Sequence, residues 1–338
     1  MKAAVLKDKR KMVVEEVPDP KAGPGEILLK MKYVGICGSD LHLYATGLLP
    51  PDVIMGHECA GVVLEVGEGV EGWQPGDRAA IHGGLSCGEC FWCRMGRSNI
   101  CREMGGIGLG DMPGGYAELL KVFPEQMVRL PEEVSLKDAA LLDPFSTAMH
   151  AIKLSGFQKH ETALVMGAGP IGLCIIQELK LAAPKLLAAT ELVPNRARAA
   201  SDFGADPVLK PDDDVMDKLA ELTDDVGPDY VFECVGIPET TSEAFNLVRR
   251  AGKVVLVGVC MEPTPLVPVF WMIKELSMQT TMGFSREEFL QSLEMLRQGA
   301  FRTDGLVSET IPLDRLPETF ERLLKPNQEI KVLVEYPD

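Results

Sequence analysis

Ala163-Leu164-Val165-Met166-Gly167-Ala168-Gly169-Pro170-Ile171-Gly172 decides the fold of this chain. The first four residues form a short apolar run that reads as a buried strand. G-x-G-x-x-G follows directly, and the stretch Pro170 to Leu181 reads as the helix that the glycines open. In that setting Gly167 permits a tight turn, Gly169 lets backbone approach a pyrophosphate, and Gly172 lets helix pack close against strand. Pro170 suits the first helical turn, where no amide is needed, and the positive helix start favours phosphate. Further strands are expected at 185–190, 229–233, 253–259 and 276–281, with a helix at 194–203. Strands alternating with helices predict a doubly wound parallel sheet, an α/β dinucleotide-binding domain.

Glu191 ends the second predicted strand, nineteen residues after Gly172. An acidic group there accepts hydrogen bonds from the adenosine ribose and repels a 2′-phosphate, which favours NAD over NADP. Arg196 stands close by and would welcome such a phosphate, so strict preference stays open.

Ahead of this domain the chain alternates apolar and polar residues between glycines and prolines, as in 12–17, 27–31 and 60–66. That pattern predicts short antiparallel strands in a small barrel-like body. After it, a helix at 286–298 and a strand at 330–335 can return to the first body. The expected organisation is a β domain of 1–146 and 287–338 around a parallel-sheet domain of 147–286.

Two clusters in the β body carry chemistry. Cys37-Gly38-Ser39-Asp40-Leu41-His42 and Gly56-His57-Glu58 bring thiolate, imidazole and carboxylate together among glycines, a donor set that suits zinc. This stretch reads as strand ends and turns. Cys87-x2-Cys90-x2-Cys93-x7-Cys101 packs four thiols into fifteen residues, in a lobe of 84–104. Four thiolates close one tetrahedral zinc with no open position, so that site reads as structural; an iron–sulfur cluster is the rival occupant.

The bulk composition agrees. The chain has 338 residues, 46% hydrophobic and 25% charged, enough for two cores. A net charge of −16 argues against nucleic acid and anionic membrane as partners. No apolar run reaches the ~20 residues of a membrane span. The charged start, Met1-Lys2-Ala3-Ala4-Val5-Leu6-Lys7-Asp8-Lys9, does not read as a signal peptide, and the expectation is a cytoplasmic protein. Nine cysteines, clustered and odd in number, fit metal ligation better than disulfides.

Together with Gly114-Gly115-Tyr116-Ala117-Glu118 and Ile330-Lys331-Val332-Leu333, these motifs resemble the zinc-containing medium-chain alcohol dehydrogenases, in particular their polyol, butanediol and threonine dehydrogenase branch. The resemblance spans essentially the whole chain. It implies a GroES-like catalytic domain, split in sequence, around a Rossmann domain. It implies Cys37 and His57 as catalytic zinc ligands, Glu58 as a carboxylate that ligates directly or through water, and Asp143 as a third ligand where the branch usually has Glu. Ser39 and His42 match a proton relay, and Asp40 matches an acceptor that orients His57. Lys331 matches a basic residue on the pyrophosphate. Gly258, Val259, Gly283 and Phe284 match backbone positions that hold the nicotinamide amide.

The chemistry so implied is hydride transfer from a secondary alcohol or polyol to NAD, reversible from the ketone, with one catalytic and one structural zinc. A zinc ion with an open position stabilises the deprotonated alcohol, much as it lowers the pKa of bound water by ~8 units. The carboxylate ligand set and the bare Gly83 motivate a secondary alcohol. Oxidation of a hydroxy amino acid, and a zinc-free or non-catalytic NAD(P)-binding relative, stay as alternatives. Leu48, Met112, Phe145 and Phe284 are candidates to line the substrate pocket. The partner is a small alcohol or ketone, and the apolar run 263–273 resembles the edge through which family members pair, implying a homodimer or homotetramer.

Overall fold

In the computed structural model, all residues are described except 111, 212, 213 and 338. The chain forms two units: Met1–Asp143 with Ser285–Gly299 and Val307–Asp338, and Pro144–Phe284 with Ala300–Leu306.

The first unit is β-rich. Strands Lys2–Asp8, Lys11–Glu16 and Val53–Ile54 make a small antiparallel sheet. The larger, seven-stranded sheet is built around Ile27–Gly35, which pairs antiparallel with Glu58–Val66, Leu119–Val122 and Lys331–Glu335. The register sets Gly35 opposite both Glu58 and Leu333. One strand end therefore gathers residues from the beginning, middle and end of the chain. Apolar residues facing inward from these strands, among them Leu29, Met31, Val34, Ile81, Leu120 and Val334, form the core with Phe320.

The stretch after Cys37 departs from expectation. It is a helix, Gly38–Thr46, and not a turn. Cys37 is the N-cap, and Asp40 three residues on returns its carboxylate to the Cys37 amide, Oδ2 to N 3.1 Å. This is the reciprocal logic of a capping box, and it sets Ser39 and His42, three apart, on one helix face. The helix Arg286–Arg297 starts the same way, with Ser285 and Glu288 exchanging backbone hydrogen bonds of 3.2 and 2.8 Å. Arg286 then binds the carbonyls of Glu125 and Met127.

The second unit holds a six-stranded sheet, parallel throughout, in the order Val208–Leu209, Leu186–Thr190, Thr162–Met166, Tyr230–Glu233, Lys253–Leu256, Ser277–Thr280. Numbered along the chain this is 3-2-1-4-5-6, the order of dinucleotide-binding sheets, whose crevice opens beyond the carboxyl ends of the two central strands. The helix Pro170–Leu181 begins where the glycines predict it, with Gly169 as N-cap.

The structure corrects one boundary. Ala300–Leu306, placed with the β domain from sequence, belongs to the second unit. Phe301 is buried and stacks on Phe145 with centroids 4.3 Å apart, and Gln177 exchanges two hydrogen bonds with the backbone of Arg302. Burying a phenylalanine outweighs the sequence proximity of the flanking elements. Phe145 is thus a core residue, fully buried, and does not line a pocket. Among the described residues no helix is long and apolar enough to cross a membrane.

Candidate active site and metal centres

Cys37, His57 and Glu58 each offer a donor atom, and these atoms lie within 4.8 Å of one another. The cap of helix Gly38–Thr46 fixes Cys37, and the start of strand Glu58–Val66 fixes the other two. Gly35 makes room: a Cβ there would stand 1.9 Å from Glu58 Oε2. Burial would draw the His57 pKa down, but the nearby Asp40 charge and the Asp40 and Cys37 side chains, which accept from the protonated ring, raise it well above its usual value. The spacing and donor types fit one zinc ion, which needs the thiolate and the neutral imidazole.

Lys331 stands elsewhere than expected. Its ammonium is 3% exposed and donates to both Glu58 oxygens, at 2.7 and 2.6 Å, and to the Ile36 carbonyl at 3.1 Å. All three of its donors are engaged inside the first unit, so it does not present a free ammonium to a pyrophosphate. The physical reason is Glu58, 1% exposed: a buried carboxylate needs a buried cation.

Asp143 lies outside the set of mutually close donors. It is near enough to feel their charges. Burial first, then the Glu58 and Asp40 carboxylates, push its pKa up to about 7 against the opposing pull of His57 and Lys331. Ser39 is partly buried on the first helix face, and His42 Nδ1 is buried without a hydrogen-bond partner. His82 is not in the set; its ring meets Phe289 edge-on at 5.7 Å.

The four cysteines of the lobe gather their sulfurs in an arrangement that could hold a metal ion. Sulfur–sulfur distances are 3.4 Å for Cys87–Cys101, 3.6 Å for Cys90–Cys93, 3.8 Å for Cys90–Cys101 and 4.0 Å for Cys87–Cys93. A tetrahedron with Zn–S of ~2.3 Å requires about 3.8 Å between sulfurs, whereas a disulfide requires about 2 Å. Backbone N–H groups of Cys93 and Arg102 lower the Cys90 pKa to about 6, favouring its thiolate.

In the second unit, Gly167 takes φ +87°, and a Cβ on Gly172 would stand 1.9 Å from the Gly167 carbonyl oxygen. A Cβ on Gly169 would meet nothing within 4 Å, a bare cradle at a helix N-terminus suited to an anionic ligand. Pro170 and Ile171 begin that helix. Glu191 is buried; its carboxylate accepts from Ala168 N at 2.7 Å and Val193 N at 2.8 Å, which ties the second strand to the glycine turn. Arg196 lies on the following helix, Pro194–Asp202. Gly258 and Val259 follow strand Lys253–Leu256, and Gly283 and Phe284 follow Ser277–Thr280.

Two residues escaped the sequence reading. Glu233 is fully buried at the end of its strand. Its Oε1 accepts from Val235 N, Gly236 N and Thr240 Oγ1, and its carbonyl accepts from Val257 N and Gly258 N. It organises the turns that carry Gly258 and Val259. An acidic residue closing an apolar strand, as at Glu191, was the available signal. Tyr116, quoted only as part of a motif, donates to Asp40 Oδ2 at 2.7 Å; no local pattern announces that contact.

Comparison with known proteins follows the same division. Residues 23–132 match the family described as alcohol dehydrogenase GroES-like domain, and residues 170–298 match zinc-binding dehydrogenase. The chain is 35% identical to (R,R)-butanediol dehydrogenase of Bacillus subtilis, over 99% of both chains. It is 32% identical to sorbitol dehydrogenase of the same species, over 100% of this chain and 98% of that one. Among solved structures, a Sinorhizobium meliloti chain bound to NADP aligns over 99% of both, with TM-score 0.91 and 30% identity.

Two predictions follow from this geometry. Cys37→Ser is expected to lose one zinc per chain and activity while keeping the fold, and Cys93→Ser to lose the other zinc and melt lower. Metal analysis and thermal melts check this, and equal melting losses contradict it. Because the folded Asp143 carboxyl holds its proton more tightly than the unfolded one, its contribution to stability falls as pH rises from about 4 to about 7. Metal-free Asp143→Asn should therefore gain in melting temperature over metal-free wild type between pH 5 and pH 8; a pH-independent difference refutes it.

Proposed function

Given that the chain belongs to the zinc-containing medium-chain alcohol dehydrogenase family, oxidoreductases acting on CH–OH donors, we propose that it interconverts a secondary alcohol or polyol and the ketone, with NAD as hydride acceptor. The observation that carries the reading is the convergence of Cys37, His57 and Glu58 beside a second, separate four-thiol site. Bound at the first site, zinc supplies Lewis acidity to an alcohol oxygen, and NAD supplies the hydride acceptor.

The chain's own residues do the rest. Cys37, His57 and Glu58 hold the metal, with Asp143 as a further carboxylate at its edge. Ser39 Oγ accepts the alcohol's proton as it gives up its own, which travels by way of the nicotinamide ribose to His42, whose Nδ1 has no hydrogen-bond partner among the described residues. Lys331 holds Glu58 in place and balances its charge. Gly167, Gly169 and Gly172 seat the dinucleotide, and the negative charge of Glu191, held at the end of the second strand by the Ala168 and Val193 amides, disfavours a 2′-phosphate and so favours NAD over NADP. The four cysteines of the lobe hold the structural zinc.

The chain is similar to proteins named (R,R)-butanediol dehydrogenase and sorbitol dehydrogenase, and diols and sugar alcohols of that kind carry secondary hydroxyls. Gly83 suits that class: a side chain there would begin 3.4 Å from His57 Cβ and 3.5 Å from Ile107, adding bulk beside the ligand. We place the protein in the cytoplasm, a reducing compartment in which the four clustered cysteines stay available as metal ligands.

The oligomer proposed is a homodimer formed through the free edge of strand Ser277–Thr280. Met278 on that edge strand, and Val267, Phe270, Met272 and Ile273 at and in the helix Pro268–Lys274 that precedes it in the chain, are each more than half exposed, and an unpaired edge with exposed apolar residues invites pairing with its own copy. Light scattering should give twice the chain mass, and Met278→Lys should lower it to one; a monomeric wild type removes the proposal.

The substrate reading is tested on zinc-loaded protein with a panel of diols, sugar alcohols, hydroxy amino acids and primary alcohols. Faster reduction of NAD than of NADP, with vicinal diols or sugar alcohols as the best donors, is expected. Activity confined to primary alcohols overturns it.

A further inference from the structure

Asp40 uses its two oxygens differently. Oδ2 accepts from Cys37 N at 3.1 Å and from the Tyr116 hydroxyl at 2.7 Å. Oδ1 lies at ion-pair distance, 3.3 Å, from His57 Nδ1, and among the described residues neither of these two buried atoms completes a hydrogen bond elsewhere. A carboxylate is planar and rigid, so two donors pinning Oδ2 also set where Oδ1 points. The Tyr116 hydroxyl has a second acceptor in reach, the Gly35 carbonyl at 3.1 Å. It has only one proton, and the closer, charged acceptor takes it.

Tyr116 also holds His57 from the backbone side. Its ring fills the space beside Gly56, where a Cβ would stand 2.9 Å from ring carbons, and Gly56 takes φ +97°. Tyr116 N donates to the Met55 carbonyl at 2.9 Å, and Gly115 N to the Gly56 carbonyl at 2.8 Å. The ring itself is fully buried and meets Phe320 edge-on at 5.8 Å. One tyrosine thus fixes the backbone that precedes His57 and, through Asp40, the imidazole plane.

We propose that Tyr116 is a positioning residue for the catalytic metal: its hydroxyl aims Asp40 at His57 Nδ1, which leaves Nε2 turned toward the ion. The inference rests on the functional reading above, and it assigns Tyr116 more than packing. Partners that orient a ligating histidine typically change metal affinity ~10–100-fold when lost.

The four-thiol site in the same chain provides an internal control. Zinc release to a chelator is followed in wild type, Tyr116→Phe, Asp40→Asn and the double variant, with thermal melts alongside. Tyr116→Phe keeps the ring and is expected to release one zinc of the two roughly ten-fold or more faster, with the lobe zinc unchanged. Because Tyr116 acts through Asp40, adding Tyr116→Phe to Asp40→Asn should accelerate release little further. Unchanged release from Tyr116→Phe, equal loosening of both zincs, or fully multiplicative effects in the double variant each overturn the proposal. A wild-type chain that holds zinc only in its lobe overturns the functional reading, and this inference with it.

Discussion

Bringing a thiol, an imidazole and a carboxylate together largely out of water is costly unless each is given a fixed partner, and the first unit is organised to meet that constraint. Glu58, almost wholly out of water, is balanced by Lys331 at 2.6 Å. His57 faces Asp40, and Cys37 caps the helix that carries Asp40. Removing one charge of such a buried set strands the other, which is why breaking a buried pair costs about 3–5 kcal/mol even where forming it gains little. The register of strand Ile27–Gly35, with Gly35 opposite Glu58, lets these groups approach, and the absent side chain at Gly35 lets the carboxylate in.

The dinucleotide domain rests on a different principle. Its distinguishing features are backbone features: a bare cradle at Gly169, a helix start at Pro170 and turns held by buried carboxylates. Glu191 ties the glycine turn to the end of the second strand, and Glu233 ties the turns after the fourth and fifth. Carboxylates at strand ends thus serve as splints for the loops that follow them.

The legible parts of the sequence were those with local causes. An apolar run, glycines and a proline specify the strand, turn and helix at 162–181 within a single stretch, and the helix Pro170–Leu181 has the bounds expected. The cysteine lobe is likewise local, four thiols within fifteen residues whose sulfurs converge. What was hidden depends on distant partners. Lys331 meets Glu58 across 273 residues, so its engagement with a carboxylate could not be read from either neighbourhood. Residues 300–306 join the second unit because Phe301 stacks on Phe145, again a long-range contact. The helix Gly38–Thr46 was missed because its cap is a cysteine, a residue that sequence rules do not associate with helix starts.

Two chemically distinct zinc sites in one chain, one of four sulfurs and one of mixed sulfur, nitrogen and oxygen, are read directly by zinc K-edge absorption on protein loaded with two ions per chain. An average of about 2.5 sulfurs per zinc at ~2.3 Å is expected, with a nitrogen or oxygen shell near ~2.0 Å. A spectrum with four sulfurs per zinc and no nitrogen or oxygen neighbour would contradict it.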